Sequence, residues 1–398
     1  MPEPAPYALR SRMSTRFNVP STILVGAGSS REVGAQAKRL GGRRALLVTD
    51  ATMVSSGVAQ RCADDLSTAG IAATVFSDVQ PDPTDLNVRN GLAALQAAQC
   101  DFIVGLGGGS PMDAAKVIAV AATNDVPIRE FAGYHRVPRA GLPLILIATT
   151  AGTGSEVTKA AVITDTEREV KMMMLDAHLL ATVALADFEL SITMPAALTA
   201  HVGVDTFTHG LEAFVSRKAS ALTDPLAEQC MKLTAKHLLT AWREPGNRTA
   251  REGMMLAACI GGMAFANSSV CLVHGMSRPI GAIFHLAHGL SNALLLPEIT
   301  RWSLRGATNR YAQVARLVGA VAGDASDDDA ASALPEWLEK LNASLGIGRL
   351  RDFIKADFSV FESKLPAMAE AALASGSPQN NPIVPTAEEI IELYRRVW

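Results

Sequence analysis

Residues 102–113 read Phe-Ile-Val-Gly-Leu-Gly-Gly-Gly-Ser-Pro-Met-Asp. An apolar strand, a glycine turn and a helix start follow in direct succession. Gly107, Gly108 and Gly109 carry no side chain, so the backbone there can approach a pyrophosphate. The N–H groups and positive end of the following helix would then meet its negative charge. Ser110 can cap that helix, and Pro111 suits its first turn. The spacing is not Gly-x-Gly-x-x-Gly, so the usual dinucleotide fingerprint is not matched. A plain strand-to-helix turn is the competing reading. A second polar loop, Thr149-Thr-Ala-Gly-Thr-Gly-Ser155, also follows an apolar strand. Two such loops at strand C-termini lie where open α/β sheets bind ligands.

Outward from this stretch, short β-branched runs alternate with helical ones. Strands are expected at Thr22–Val25, Ala45–Thr49, Ala72–Phe76, Phe102–Leu106, Leu144–Thr149 and Val183–Ala186. Helical segments such as Val58–Ala69, Leu86–Ala98 and Asp113–Ala122 lie between them. Strand, helix, strand at this spacing implies a parallel sheet. From about Pro195 the pattern changes to helical periodicity. Leu226, Cys230, Leu233 and Leu238 share a stripe, as do Leu338, Leu341 and Leu345, and Thr386 with Glu389 forms a capping box before a last helix over Ala387–Val397. The expected fold is an α/β Rossmann-like N-terminal domain over 17–194 and an all-α C-terminal domain over 195–398. The cleft between them is the expected ligand site. Residues 1–16 are expected to be a disordered extension, and Met13 is an alternative start.

The chain has 398 residues, 48% hydrophobic and 19% charged, so it can bury a large core. Its net charge of −3 comes with no basic stripe. That speaks against nucleic acid or an anionic membrane as partner. No apolar run reaches the ~18–20 residues of a membrane span, and the first residues lack the apolar stretch of a signal peptide. Five scattered cysteines without a Cys-x-x-Cys pair fit a reducing, cytoplasmic setting. Cys271 reads as a small buried apolar residue and not as a ligand.

The second half places Asp205 and His209 in Val-Asp-Thr-Phe-Thr-His-Gly, His274 in Leu-Val-His-Gly-Met-Ser and His288 in Leu-Ala-His-Gly-Leu-Ser. Asp205 and His209 are four apart on an expected helix and share a face. A carboxylate with three imidazoles suits Fe(II), Zn(II) or a similar divalent ion, and the lack of thiolate points to a chemical site. Any one of these histidines alone would read as a packed core residue. His285 is a candidate support for the ligands. His274 is expected to precede a bend at Pro279 and Gly281. Asp50, at the end of a strand, can accept hydrogen bonds from an adenosine ribose and would repel a 2′-phosphate, favouring NAD over NADP. Equally, it can cap the next helix.

Taken together, Gly107–Lys116, Thr149–Glu156, Asp205–His209, His274 and His288-Gly-Leu-Ser-Asn-Ala resemble the iron-containing (group III) alcohol dehydrogenases. The likeness runs from about Phe17 to the C-terminus. It implies a Rossmann-like domain, a helical metal domain and NAD(P) in the cleft. It implies metal ligation by Asp205, His209, His274 and His288. It assigns coenzyme contacts to Asp50, Gly108, Gly109, Ser110, Asp113, Thr149, Thr150, Thr153 and Lys171, and places Phe265 near the nicotinamide. Members are usually dimers or larger. The activity implied is metal-dependent hydride transfer between NAD and an alcohol or carbonyl, with His274 and His288 as catalytic ligands. A maleylacetate-reductase-like or hydroxyacid–oxoacid-transhydrogenase-like activity is the enzyme alternative. A non-catalytic NAD-binding scaffold is the alternative of another class.

One position departs from the resemblance. Many relatives carry a second histidine four residues after the first. Here that position is Arg278, which stays protonated and cannot relay a proton near neutral pH. Its guanidinium could instead hold a substrate carboxylate, sulfonate or phosphonate, or it could form a structural ion pair at a helix end.

Overall fold

The structure, a computed structural model, describes residues 15–398. The extension expected over 1–16 lies outside the described residues except for its last two positions, and Met13 lies outside them.

The N-terminal half is built on β1 (Thr22–Val25), β2 (Arg44–Val48), β3 (Ala72–Phe76), β4 (Phe102–Gly107), β5 (Gly133–Tyr134), β6 (Leu144–Ala148), β7 (Ala160–Asp165), β8 (Val170–Leu175) and β9 (Val183–Ala186). Six of these form one parallel sheet in the order β1-β9-β6-β4-β2-β3. Alternate residues of each strand feed opposite faces, because successive side chains on a strand point to opposite sides. Ala45, Leu47, Val104 and Ile145 pack under the Val33–Arg39 and Val58–Thr68 helices. Leu46, Val48, Ile103 and Leu146 pack against the Asp85–Ala97 and Gly109–Ala121 helices, in a core that continues into the C-terminal half. Both faces are covered, which is why these strands read as continuous apolar runs.

The remaining three strands form a small second sheet, ordered β5-β8-β7, with β7 and β8 antiparallel. The sequence reading did not include it. Lys171 stands on β8, so the extra sheet carries one of the expected coenzyme residues.

Strand order reverses between β2 and β4, since β3 lies on one side of β2 and the later strands lie on the other. A crevice opens at such a reversal, beyond the strand C-termini. Gly107 ends β4 at φ +150°, a region that side chains disfavour. An added Cβ there would meet Pro111 Cγ at 2.7 Å and Asp50 Oδ2 at 3.4 Å. The Asp50 carboxylate therefore flanks the glycine loop across the reversal point.

The C-terminal half is helical. Ala196–Val215, Asp224–Arg243 and Arg248–Ser268 pack on one another, and His288–Ser303 packs on both Ala196–Val215 and Leu272–Phe284. Leu338, Leu341 and Leu345 are buried as their spacing implied. Thr386 and Glu389 form the expected capping box, with Thr386 Oγ1 accepting from Glu389 N–H at 3.2 Å. The Leu272–Phe284 helix continues through Pro279 without ending there. Pro279 therefore costs this helix one internal hydrogen bond but does not end it. Among the described residues no single helix is long and apolar enough to cross a membrane.

Candidate metal and coenzyme site

Asp205 and His209 stand one turn apart on the Ala196–Val215 helix, both buried. His274 is the third residue of the Leu272–Phe284 helix, and His288 opens the next one. Gly289 makes that last placement possible. An added Cβ would sit 2.7 Å from the His201 carbonyl, so only glycine lets the two helices approach this closely.

One ligand atom from each of the four residues lies within 4.8 Å of the others. Asp205 Oδ1 is 3.8 Å from His209 Nε2, 3.6 Å from His274 Nε2 and 3.9 Å from His288 Nε2. Four bonds of ~2.1 Å in a tetrahedron would separate the ligand atoms by ~3.4 Å, so the set needs to contract only slightly around an ion. Asn292 reinforces this reading. Its Nδ2 donates toward Asp205 Oδ1 (2.6 Å), His274 Nε2 (3.1 Å) and His288 Nε2 (3.2 Å), while its Oδ1 is buried without a partner. A single donor group thus sits among three lone pairs that converge on one point.

Glu212, also on the Ala196–Val215 helix, orients His274. Its Oε2 accepts from His274 Nδ1 at 2.6 Å and from Cys271 N–H at 2.9 Å, and its Oε1 accepts from Val273 N–H at 2.6 Å. The carboxylate therefore holds the first N–H groups of the Leu272–Phe284 helix and fixes the His274 tautomer, leaving Nε2 as a lone-pair donor. Burial opposes the His274 charge, but Glu212 and Asp205 overcome it and raise its pKa to about 9, so ligation through Nε2 would release the proton that these two carboxylates otherwise hold there. Burial lowers His209 to about 4 against the pull of Asp205, and the half-exposed His288 is shifted in the same direction, so both imidazoles are neutral at pH 7. The Asp205 carboxyl is held below its ordinary range: burial opposes this, and the surrounding histidines prevail.

The sequence reading missed Glu212 and Asn292. Glu212 falls three residues after His209 on the same helix face, and Asn292 falls one turn after His288, so helical spacing alone could have raised both. His285 does not support the ligands. It ends the Leu272–Phe284 helix in the left-handed region at φ 56°, exposed, while Glu212 and Asn292 fill that role.

A cleft of about 470 Å³ joins the metal candidates to the glycine loop. Asp205, His209, Phe265, His274, Arg278 and His288 line one wall, and Gly109, Ser110, Asp113, Thr153 and Lys171 line the other. Phe265 stacks on His209 with ring centroids 4.2 Å apart. Lys171 Nζ pairs with Asp82 at 2.7 Å. Asp50, Gly108, Thr149 and Thr150 lie behind this wall and outside its lining.

The glycine loop fits a pyrophosphate on its own geometry. Gly108 is the N-cap of the Gly109–Ala121 helix, and no side chain caps that end, so its first N–H groups are free for an anion. Ser110 falls inside the helix and not at the cap, because the helix begins one residue before it. An added Cβ at Gly109 would meet Thr153 Cγ2 at 3.2 Å, and the buried Thr150 Oγ1 beside Gly108 has no partner. Asp50 caps the Ala51–Ser55 helix through Oδ1, which accepts from Met53 N–H at 3.0 Å. Its Oδ2 faces Gly107, so one carboxylate serves the helix and still borders the loop.

Behind the loops lies a buried ionic cluster that includes Asp113, expected above as a coenzyme contact. Lys116 Nζ donates to Ser155 Oγ (2.8 Å), Thr158 Oγ1 (3.0 Å) and the Ala160 carbonyl (2.7 Å), with Asp113 Oδ1 at 3.8 Å. Asp113 accepts from Ser155 Oγ–H (2.7 Å) and Val162 N–H (2.9 Å), so its carboxylate braces the two loops from within. Glu156 is buried beside Lys116, and burial raises its pKa to about 7 even though Lys116 pulls it down. The folded protein thus keeps a proton that the unfolded chain loses above pH 4.5. That contribution to stability is complete below pH 4.5 and lost as pH rises through 7. Glu156→Gln should therefore flatten the decline of stability between pH 5 and 7, read from denaturant melts across that range. An unchanged slope would place the titration elsewhere.

Residues 20–188 match the family profile described as iron-containing alcohol dehydrogenase, and residues 199–398 match the C-terminal profile of the same family. The NAD-dependent methanol dehydrogenase of Bacillus methanolicus is 36% identical over 381 residues, covering 96% of this chain and 99% of that protein. The 1,3-propanediol dehydrogenase of Klebsiella pneumoniae is 37% identical over 385 residues, covering 96% and 98%. A crystal structure of a 1,3-propanediol oxidoreductase superposes with a TM-score of 0.94 at 37% identity, over 97% of this chain and all of that one.

Proposed function

This chain belongs to the iron-containing alcohol dehydrogenases, oxidoreductases acting on alcohol CH–OH groups, and from that membership we propose how its own residues divide the work. The carrying observation is the convergence of Asp205, His209, His274 and His288 on one point in a cleft that also reaches a glycine loop.

Asp205, His209, His274 and His288 hold one divalent ion, Fe(II) by preference. Held there, such an ion would supply Lewis acidity to the oxygen of an alcohol or carbonyl substrate. Gly108, Gly109, Ser110, Thr149, Thr150 and Thr153 hold the coenzyme phosphates, and Lys171 stands on the nicotinamide side. A nicotinamide bound there would supply the redox chemistry. Asp50 favours NAD over NADP, since its carboxylate borders the loop and would repel a 2′-phosphate. Glu212 keeps the His274 proton on Nδ1 and so keeps Nε2 turned into the cleft. Phe265 packs flat on His209, closes that side of the cleft to water and leaves an apolar surface for the substrate and nicotinamide. Arg278 keeps its charge and takes no part in proton transfer. With both partners held in one cleft, positioning is the protein's main contribution.

The test is NADH oxidation over a panel of aldehydes and oxoacids, using protein of measured metal content. Turnover should fall with metal content during chelation and return on adding Fe(II), with Zn(II) compared alongside. A chelated, metal-free protein of full activity refutes the reading. Hydride exchange between two substrates without net NADH change would favour the transhydrogenase alternative, for which Arg278 is the motivating residue.

A further inference from the structure

Arg278 lies one helical turn past His274, with its side chain in the wall of the cleft. It makes one hydrogen bond, from Nη1 to Ser377 Oγ at 2.9 Å. Among the described residues no carboxylate lies within ion-pair distance of it, so it is not the structural ion pair that a helix-end arginine would suggest. Arg310, by contrast, binds Asp224 at 2.8 Å and the Phe214 carbonyl at 2.7 Å.

Two further cations line the same cleft, Lys159 and Lys218. Neither ammonium has an acid or a hydrogen-bond acceptor among the described residues. Burial lowers the Lys159 pKa, and the charges of Arg16 and Lys218 lower it further. Lys159 therefore lies close enough to Lys218 and Arg16 for their charges to repel it, in the same cleft that Arg278 lines. The acids that line the cleft are all committed: Asp82 to Lys171, Asp113 to Ser155, Val162 and Lys116, and Asp205 to the histidine cluster. Bringing like charges together in a partly desolvated cleft costs free energy unless an anion joins them.

We propose that Arg278, Lys159 and Lys218 form a subsite for an anionic group on the substrate, so that the physiological alcohol or aldehyde carries a terminal carboxylate, sulfonate or phosphonate. This rests on the activity proposed above and narrows its substrate class. The Ser377 bond fixes one edge of the guanidinium, and Nε and Nη2 remain free to bind an oxyanion. One turn of helix separates Arg278 from His274, a rise of about 6 Å. A short chain therefore spans from a reacting carbon at the histidine cluster to the guanidinium. In reduction the substrate carbonyl takes a hydride from NADH and a proton from solvent, giving the hydroxyl form and NAD, and the anionic group is unchanged.

The experiment compares kcat/KM for 4-oxobutanoate with that for butanal, in the wild type, Arg278→Met, Arg278→Lys, Lys159→Gln and Lys218→Gln. Oxidation of 2-hydroxyethanesulfonate and 2-hydroxyethylphosphonate against 1-propanol separates the three anions. The anion-to-neutral ratio should exceed unity by about 10- to 100-fold in the wild type, the range for a charge-assisted bidentate contact. It should collapse toward one in Arg278→Met, chiefly through KM, recover partly in Arg278→Lys, and fall a few-fold in each lysine variant. A wild-type ratio near one, or a ratio unchanged in Arg278→Met, overturns the proposal. So does a rise in KM for NADH alone, which would assign the cations to the coenzyme. If no aldehyde is reduced, the activity reading fails, and calorimetry of propane-1-sulfonate on the NADH complex decides this one. Binding that Arg278→Met abolishes upholds it, and no binding to the wild type overturns it.

Discussion

His274→Ala should purify without its divalent ion and with turnover lowered at least about a thousandfold. Changing a residue that merely orients a ligand costs about 10–100-fold in metal affinity or activity, and removing the ligand itself costs more. Of the four proposed ligands, His274 is the one whose geometry is most constrained. Glu212 holds its Nδ1 at 2.6 Å, and Nε2 lies 3.6 Å from Asp205 Oδ1. The alanine variant leaves Asp205, His209 and His288, of which His288 is the most exposed, and also leaves a hole beside the Glu212 carboxylate. Glu212→Gln separates ligation from support. It keeps all four ligands but loses the charge that stabilises the Nδ1–H bond, so metal affinity should drop within the 10–100-fold range. Metal content by elemental analysis after a timed chelator challenge reads both. A His274→Ala protein that still holds one ion per chain would remove His274 from the ligand set.

The sequence already singles out the four residues that the fold brings together, because ligand chemistry is local in type. Asp205 and His209 share a helix face by spacing, and His274 and His288 each stand before a glycine in an apolar run. Glu212 and Asn292 were harder to see. An acid and an amide on a helix are common, and only the fold shows that Glu212 ends against Cys271 and Val273 across about sixty residues of chain. The large sheet was legible because strands buried on both faces read as unbroken apolar runs. The β5-β8-β7 sheet was not, even though β7 alternates buried and half-buried residues. Its partner Val-Lys-Met-Met-Met-Leu is rich in methionine, which carries little strand preference, and the pair is fixed by tertiary packing over the cleft. Asp113 shows how a motif residue can do structural work: its carboxylate, expected at the coenzyme, is bound to Ser155 and Val162.

Lys116→Met should destabilise the fold by about 3–5 kcal/mol and weaken coenzyme binding at the same time. The ammonium is fully buried, and its three protons go to Ser155, Thr158 and Ala160. Burial lowers its pKa to about 8, offset by Asp113 and Glu156, so it is still largely charged at pH 7. Methionine fills much of the volume but strands Asp113 without its cation, and breaking one side of a buried pair costs about 3–5 kcal/mol. The melting temperature should fall by roughly 4–6 °C, since a chain of this length loses about 0.8 kcal/mol of stability per degree near its midpoint. The functional effect follows from position. Lys116 and Asp113 both stand on the helix that begins at the glycine loop, and Ser155 and Thr158 belong to the second loop. Cutting this brace lets the loops separate, and displacements of about 1 Å near a bound reactant can cost 10²-fold. KM for NADH should rise at least about tenfold through this loss of positioning. Lys116→Arg should not rescue either property, because five forked donors do not fit a pocket built for three. A Lys116→Met protein that melts within about 2 °C of the wild type, a shift worth less than about 2 kcal/mol, would show that the buried charge is not what joins the loops.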